Sequence, residues 1–244
     1  MHILVIDGGH VEAEFRAKFG PAHEYSFLSA DNADYHEWDG ESIVENPLRA
    51  IIDRADVAFC FNGAGYKLFA HQLLEPFSRI SFHEIIDVPL IEIQSLAARS
   101  PIRHQIFGFC GLPTLVNRPL LEVSLHDEAD RKQLAETCAA LGTEYRVVAD
   151  RVGMVTPRVI CQIINEACFT VQEGTASMAD VDLGMKLGTN YPRGPFAWAN
   201  AIGVERVYAV LEALWQDTHD ERYKICPLLK RQALRGEPFD LLSS

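Results

Sequence analysis

The chain predicts an α/β half followed by an all-α half, and three features carry that reading. Short, continuously apolar runs such as Ile3 to Ile6, Val57 to Phe61 and Gln105 to Phe109 alternate with helical patterns, as strands of a mostly parallel sheet covered on both faces do. From Val155 onward the apolar residues recur at three and four, the spacing of one face of a helix. Between these regions lies a candidate linker, Ala149 to Gly153, so the predicted domains are residues 1–150 and 151–244. A chain of 244 residues holds two modest cores comfortably.

The first strand runs into Asp7-Gly8-Gly9 and then a helix from Val11 to Phe19. This is the shape of a first Rossmann βα unit, and the N-terminal domain therefore reads as a truncated Rossmann-like sheet. A dinucleotide fingerprint needs Gly for the tight turn, for close approach of backbone to pyrophosphate, and for helix-to-strand packing. Gly8 and Gly9 are the candidate cofactor-binding residues, with Asp31, beyond the strand Glu24 to Leu28, about where a ribose-binding acid stands, although a turn residue beside Asn32 is the preferred reading of it. Only Gly9 falls in its slot, and Asp7 and Glu12 occupy the other two. Two carboxylates repel a pyrophosphate, so a glycine turn that merely joins strand to helix is the preferred reading, without a cofactor. NAD is the cofactor of the alternative.

The segment Ala30 to Asn46 reads as a polar loop before a helix through Ile51 and Ile52. Ala55 to Phe61 reads as a central strand, followed by the glycine loop Asn62 to Gly65 and a helix from Tyr66 to Leu74. Further strands are expected at Ile80 to Ile85, Pro89 to Ile93, Gln105 to Phe109, Leu120 to Leu125 and Glu144 to Val148, with a helix from Ala129 to Leu141. In the C-terminal half Val155, Val159, Ile160, Ile163, Ile164, Ala167, Cys168 and Val171 define a long helix whose apolar face must be buried. Gly174 follows as a C-cap. Ser177 and Asp180 form a weak capping box for a second helix, and Pro195 sits where a third can begin. Ile202 to Trp215 gives another helical stripe.

Six cysteines are scattered without metal-ligand spacing and read as buried thiols of a reducing cytosol, with no metal site. A net charge of −12 argues against nucleic acid and anionic membrane as partners. Neither a leader pattern nor a membrane span is expected, since no apolar run is long enough.

Asn165-Glu166-Ala167, Glu173 to Ser177, Asp180-Val181-Asp182, Met185 to Gly188, Tyr191-Pro192-Arg193-Gly194-Pro195-Phe196 and Pro227-Leu228-Leu229 together resemble the C-terminal domain of the 3-hydroxyacyl-CoA dehydrogenases, in their 3-hydroxybutyryl-CoA branch. Any one piece, such as the Asn-Glu pair, is more often an ordinary solvated helix face, whereas the whole run is specific. The resemblance implies a helical domain that forms a homodimer and closes over an acyl-CoA, and a catalytic set of a His base, a Glu that orients it, and a Ser and an Asn that hold the substrate oxygens. Aligned on Gly108-Phe109-Cys110 and Leu121-Glu122-Val123, the resemblance puts Cys110 where the base stands and retains Glu122, twelve residues on. The Asn falls on Pro157, beside Arg158, and the Ser near Asp87 to Pro89. His83 and Glu84 form the nearest replacement pair for acid–base work, although a lone His on a strand is more often a hydrogen-bonded core residue.

Three functions are expected from these residues. The preferred one is a degenerate, cytoplasmic, homodimeric family member that binds an acyl-CoA-like or other small ligand, or a protein partner, without hydride transfer. The second is a functioning NAD-dependent 3-hydroxyacyl-CoA dehydrogenase of fatty-acid metabolism. The third is an enzyme of different chemistry that uses Glu122, Cys110, His83 and Glu84 in an inherited interdomain cleft.

Overall fold

The computed structural model describes residues 1–29, 51, 53–61, 80–98 and 105–241. The chain divides into two compact units. The first is Met1–Ile85, Pro89–Gly111 and Leu115–Arg151; the second is Ile86–Val88, Leu112–Thr114 and Val152–Ser244.

The first unit holds a seven-stranded sheet: β1 (His2–Ile6), β2 (Glu24–Leu28), β3 (Val57–Cys60), β4 (Ile80–Glu84), β5 (Gln105–Phe109), β6 (Leu120–Ser124) and β7 (Glu144–Val147). Their spatial order is β2-β1-β3-β4-β5-β6-β7. β1 to β5 are parallel, β6 runs antiparallel to β5, and β7 is parallel to β6. β1 and β3 are wholly buried, whereas the edge strands β2 and β7 are not, which is why only the inner strands read as continuously apolar.

One face is an aromatic layer. Val5 pairs with Phe59, Phe59 with Phe82, and Phe82 with Phe107, so four side chains form a row across the sheet. Phe59 stacks on Phe82 with centroids 4.8 Å apart. Onto this row helix α1 (Glu12–Phe19) lowers Phe15 and Phe19, 4.9 and 5.3 Å from the Phe59 ring. Lys18 of the same helix donates to the carbonyls of Arg118 and Pro119 and fixes the approach to β6.

Residues 90–93 correct the sequence reading. Pro89 to Ile93 is expected as a strand, yet Leu90–Ala97 is a helix, α2. The carboxylate of Asp150 accepts hydrogen bonds from the backbone N–H of Leu90 (2.6 Å) and Ile91 (3.0 Å), capping the helix from 60 residues away. Leu90 and Ile93 are buried while Ile91 is 44% exposed, a helical spacing that the short apolar run conceals. Helix α3 (Arg131–Leu141) follows a 3₁₀ turn at Glu128–Asp130.

The second unit is helical: α4 (Thr156–Gln172), α5 (Met178–Thr189), α6 (Pro195–Ile202), α7 (Val204–Thr218) and α8 (Pro227–Arg235). The expected caps are present. Gly174 takes φ +75°, and Ser177 accepts from the N–H of Asp180 while its hydroxyl donates to the Asp180 carboxylate. The stripe Val204, Val207, Val210, Leu211 and Leu214 is fully covered within the unit. The long stripe of α4 is covered only in part, because Val155 and Val159 are each 52% exposed. Among the described residues no helix is long and apolar enough to cross a membrane.

Candidate functional site

The sheet order reverses at β1 and β3: the chain passes from β1 to β2 on one side and later to β3 on the other. In open α/β sheets a ligand crevice lies at the carboxyl ends of the strands at such a reversal. Here those ends are Asp7-Gly8-Gly9 and Phe61. Asp7 takes φ +55° and its N–H donates to the Leu28 carbonyl at 2.8 Å, so the tight turn after β1 is made by an aspartate in the left-handed region. Gly9 to Val11 form a 3₁₀ turn, and α1 begins only at Glu12. The Glu12 carboxylate reaches along α1 to Arg16 at 2.8 Å, half exposed.

The two glycines of the turn differ. A Cβ on residue 8 would lie 2.4 Å from Val5 Cγ1 and 2.8 Å from Phe61 ring carbons, so Gly8 is required by packing. Gly9 is exposed, with nothing within 4 Å of where its Cβ would be. Asp31, the Asn62 to Gly65 loop, the Tyr66 to Leu74 helix and the Ala30 to Asn46 loop all lie outside the described residues. For a dinucleotide the described residues are a poor fit. An Asp stands at the tight turn, a Glu at the position that packs helix on strand, and the ring of Phe61 lies against Gly8. No step through such a cofactor follows from them.

The four candidate catalytic residues sit on β4 (His83, Glu84), just past the end of β5 (Cys110) and on β6 (Glu122). Cys60, His83, Gly108 and Ser124 pair in one row across the sheet. One level further on the same face stand Cys110 and Glu122, joined by a hydrogen bond from the Cys110 N–H to the Glu122 carbonyl at 3.2 Å. His83, 1% exposed, shares a 2.9 Å hydrogen bond with Ser81 two residues back on its own strand. Glu84 lies on the opposite face, since successive strand residues alternate. Glu84 pairs with Phe109 and its Oε1 packs against Gly111, where an added Cβ would meet it at 2.7 Å. The structure thus brings Cys110 and Glu122 together, leaves His83 a level away on their face, and separates Glu84 from all three. Strand alternation turns His83 and Glu84 to opposite faces of β4. Among the described residues no group of three or more His, Cys, Asp or Glu side chains could hold a metal ion.

In the helical unit the motif residues hold backbone. Asn165 is buried, not part of a solvated face: its Nδ2 donates to the Lys224 carbonyl and its Oδ1 accepts from the Cys226 N–H, both at 2.9 Å. Only Glu166 of that pair is exposed. The Asp182 carboxylate accepts from the N–H groups of Phe196 (2.7 Å) and Ala197 (2.9 Å), capping α6 from α5. Gly194 permits that approach, since a Cβ there would lie 2.5 Å from the Asp182 Cα. Arg158 donates to the carbonyls of Val152 and Met154 and to the Tyr223 hydroxyl.

Comparison with known proteins places these features. Residues 153–238 match the family model of the 3-hydroxyacyl-CoA dehydrogenase C-terminal domain. The chain is 45% identical over 87 residues to a 3-hydroxyadipyl-CoA dehydrogenase of Escherichia coli K12, covering 36% of the chain and 18% of that protein. It is 37% identical over 155 residues to a probable 3-hydroxybutyryl-CoA dehydrogenase of Bacillus subtilis 168, covering 61% of the chain and 52% of that protein. The matches thus span about half the length of such curated relatives, or less. In fold the chain is similar to the crystal structure of (S)-3-hydroxybutyryl-CoA dehydrogenase from Ralstonia eutropha, with a TM-score of 0.69 at 19% identity over 96% of this chain and 94% of that one. It is also similar to that of 3-hydroxybutyryl-CoA dehydrogenase from E. coli K12, with a TM-score of 0.71 at 17% identity over 100% of this chain and 60% of that one.

Proposed function

Since the chain belongs, through its C-terminal domain, to the 3-hydroxyacyl-CoA dehydrogenase family, we propose that it is a degenerate member that binds an acyl-CoA-like or other small ligand, or a protein partner, without hydride transfer. The observation that carries this reading is the pairing of Cys110 with Glu122. The resemblance sets a base twelve residues before a glutamate, and the antiparallel β5–β6 register places those two positions directly across from each other. That placement supports the correspondence, under which the position of the base holds a buried cysteine. Loss of a general base lowers a rate by about 10²- to 10⁴-fold, and Pro157 in place of the substrate-binding Asn adds to the loss. A homodimer is the expected assembly, supported by the exposed Leu183 and Leu187, one turn apart on α5.

The test is reduction of acetoacetyl-CoA by NADH with the full chain. No turnover above background is expected. A rate within about a hundredfold of ordinary enzymes, whose turnover numbers centre near 10 s⁻¹, would establish the second reading, a functioning NAD-dependent dehydrogenase. Glu122, standing in register opposite residue 110, is the feature that favours it. For a new chemistry on this face, Cys110→Ser and His83→Gln would have to abolish whatever activity is found.

A further inference from the structure

We infer that Phe61 is the side chain that closes the crevice at the carboxyl ends of β1 and β3, so that the dinucleotide site of this fold is filled by the protein itself. The inference concerns cofactor binding and deepens the proposed loss of hydride transfer, but it rests on different residues from the Cys110 argument. The Phe61 N–H donates to the Ile6 carbonyl at 3.0 Å, extending the pairing of β1 with β3 by one residue and fixing residue 61 beside the turn. Its ring is 0% exposed. One edge, Cδ2 and Cε2, lies 2.8 Å from where a Cβ on residue 8 would stand; the other, Cε1 and Cδ1, lies 2.9 and 3.0 Å from the corresponding point on residue 111.

The ring therefore spans from the turn after β1 to the exit of β5, and a glycine at each edge makes room for it. Neither glycine has a positive φ, so neither is explained by backbone conformation. The ring of Phe109 meets it edge-on at 5.1 Å, that of Phe15 on α1 at 6.2 Å, and that of His10 in the exposed turn at 5.6 Å, so Phe61 continues the aromatic layer up to the turn. A pyrophosphate bound in the usual manner needs the backbone of this turn to be approachable. Here the inner glycine of the turn faces a phenyl ring. The arrangement excludes a dinucleotide by occupation, in addition to the repulsion from Asp7 and Glu12.

The experiment uses full-length chains with Cys110 unchanged, so that catalysis plays no part, and reads NADH binding by fluorescence titration. Wild type and the double variant Asp7→Gly/Glu12→Gly are expected to show no binding at about 100 μM NADH, a concentration that detects affinities of ordinary cofactor strength. Adding Phe61→Ala to the double variant is expected to produce binding at least tenfold tighter. Phe61→Leu, which keeps most of the core contact, covers the case in which the alanine variant does not fold, and is expected to give a smaller gain. Independently of ligand, Gly111→Ala is expected to lower the urea midpoint in the wild type and to lower it less in the Phe61→Leu background, because the ring it would strike is gone. Binding by the double variant with Phe61 intact, absence of a gain in a folded Phe61 variant, or an equal Gly111→Ala effect in both backgrounds would each overturn the inference. NADH binding without reduction of acetoacetyl-CoA would overturn this inference and leave the Cys110 argument standing, whereas reduction by NADH would overturn both, so the two failures are distinguishable.

Discussion

Replacing Asn165 with Ala tests whether the most family-like stretch of the chain is a structural clamp. The side chain is 3% exposed and joins α4 to the segment before α8 by two hydrogen bonds of 2.9 Å, one given to the Lys224 carbonyl and one received from the Cys226 N–H. Alanine removes both and leaves the two backbone groups behind. A buried group left unsatisfied costs about 1–3 kcal/mol. Cys226 is fully buried, so its N–H falls toward the upper end; Lys224 is exposed and water can reach its carbonyl, which falls toward the lower. The expected total is about 3 kcal/mol. Calorimetry and urea denaturation of the full chain measure it. If the helical unit melts by itself, that loss lowers Tm by about 12–24 °C, and if the chain melts as one, by about half as much. Asn165→Asp keeps the acceptor for Cys226 but turns a carboxylate toward the Lys224 carbonyl, and is expected to be no better than alanine. A loss under about 0.5 kcal/mol, the range of ordinary surface substitutions, would refute the clamp and return Asn165 to the solvated face.

Three further outcomes are expected. Asp182→Ala removes the acceptor of two N–H groups at the start of α6 and is expected to cost about 2 kcal/mol, with Gly194→Ala at least as harmful, because its Cβ would meet the Asp182 Cα, which no rotamer change relieves; urea midpoints decide. Leu187→Glu, at a side chain 77% exposed, is expected to convert a dimer to a monomer in light scattering, and a monomeric wild type at micromolar concentration would contradict the assembly. Burial pushes the Cys138 thiol up to about 12, and also raises those of Cys60, Cys161 and Cys168. Folded values above the unfolded one mean that this contribution is complete below about pH 9 and is lost as pH rises toward the folded values, by up to about 1.4 kcal/mol per thiol per pH unit. Cys138→Ala is therefore expected to show a shallower fall in urea midpoint between about pH 8 and 10.5 than the wild type, and equal slopes would sink the argument.

What was legible in the sequence depended on whether the cause was local. The buried strands and the Gly174 and Ser177 caps are set by neighbours in sequence, and each is readable; the Cys110–Glu122 spacing comes only from the family resemblance. The α2 helix was not, because the carboxylate that caps it, Asp150, lies 60 residues away. The antiparallel turn of β6 escaped for a similar reason: Leu120 to Ser124 carries no mark of direction, and only the pairing of Gly108 with Ser124 shows it. Periodicity assigned Val155 and Val159 to a buried face but could not tell how many turns of α4 a neighbour would cover. The resemblance singles out Asn165 as part of a family run but does not say what its side chain holds. Its partners, Lys224 and Cys226, become visible only once α4 and the chain before α8 are packed together. Phe61 was read as the last residue of an apolar strand, and nothing local says that two glycines fifty residues either side make room for it.

Gly8 and Gly9 put this distinction to a direct test, because the sequence presents them as one motif and the structure gives them opposite reasons. A methyl group on residue 8 would be driven into Val5 and Phe61, both fully buried, and overpacking of this kind typically costs about 1–3 kcal/mol. On residue 9 the same group meets open space on a turn with ordinary negative φ, where replacing Gly by Ala reduces the freedom of the unfolded chain and stabilises by about 0.4–1 kcal/mol. The expected signs are therefore opposite: Gly8→Ala lowers the urea midpoint and Gly9→Ala leaves it unchanged or raises it. If the turn instead served to bring backbone against a phosphate, Gly9 would be the position that matters, and its alanine variant would be silent in stability but would weaken any nucleotide-dependent rise in Tm seen with the wild type. Equal destabilisation by the two substitutions would mean that the turn is not packed as described, and the assignment of Gly8 to Phe61 would fall with it.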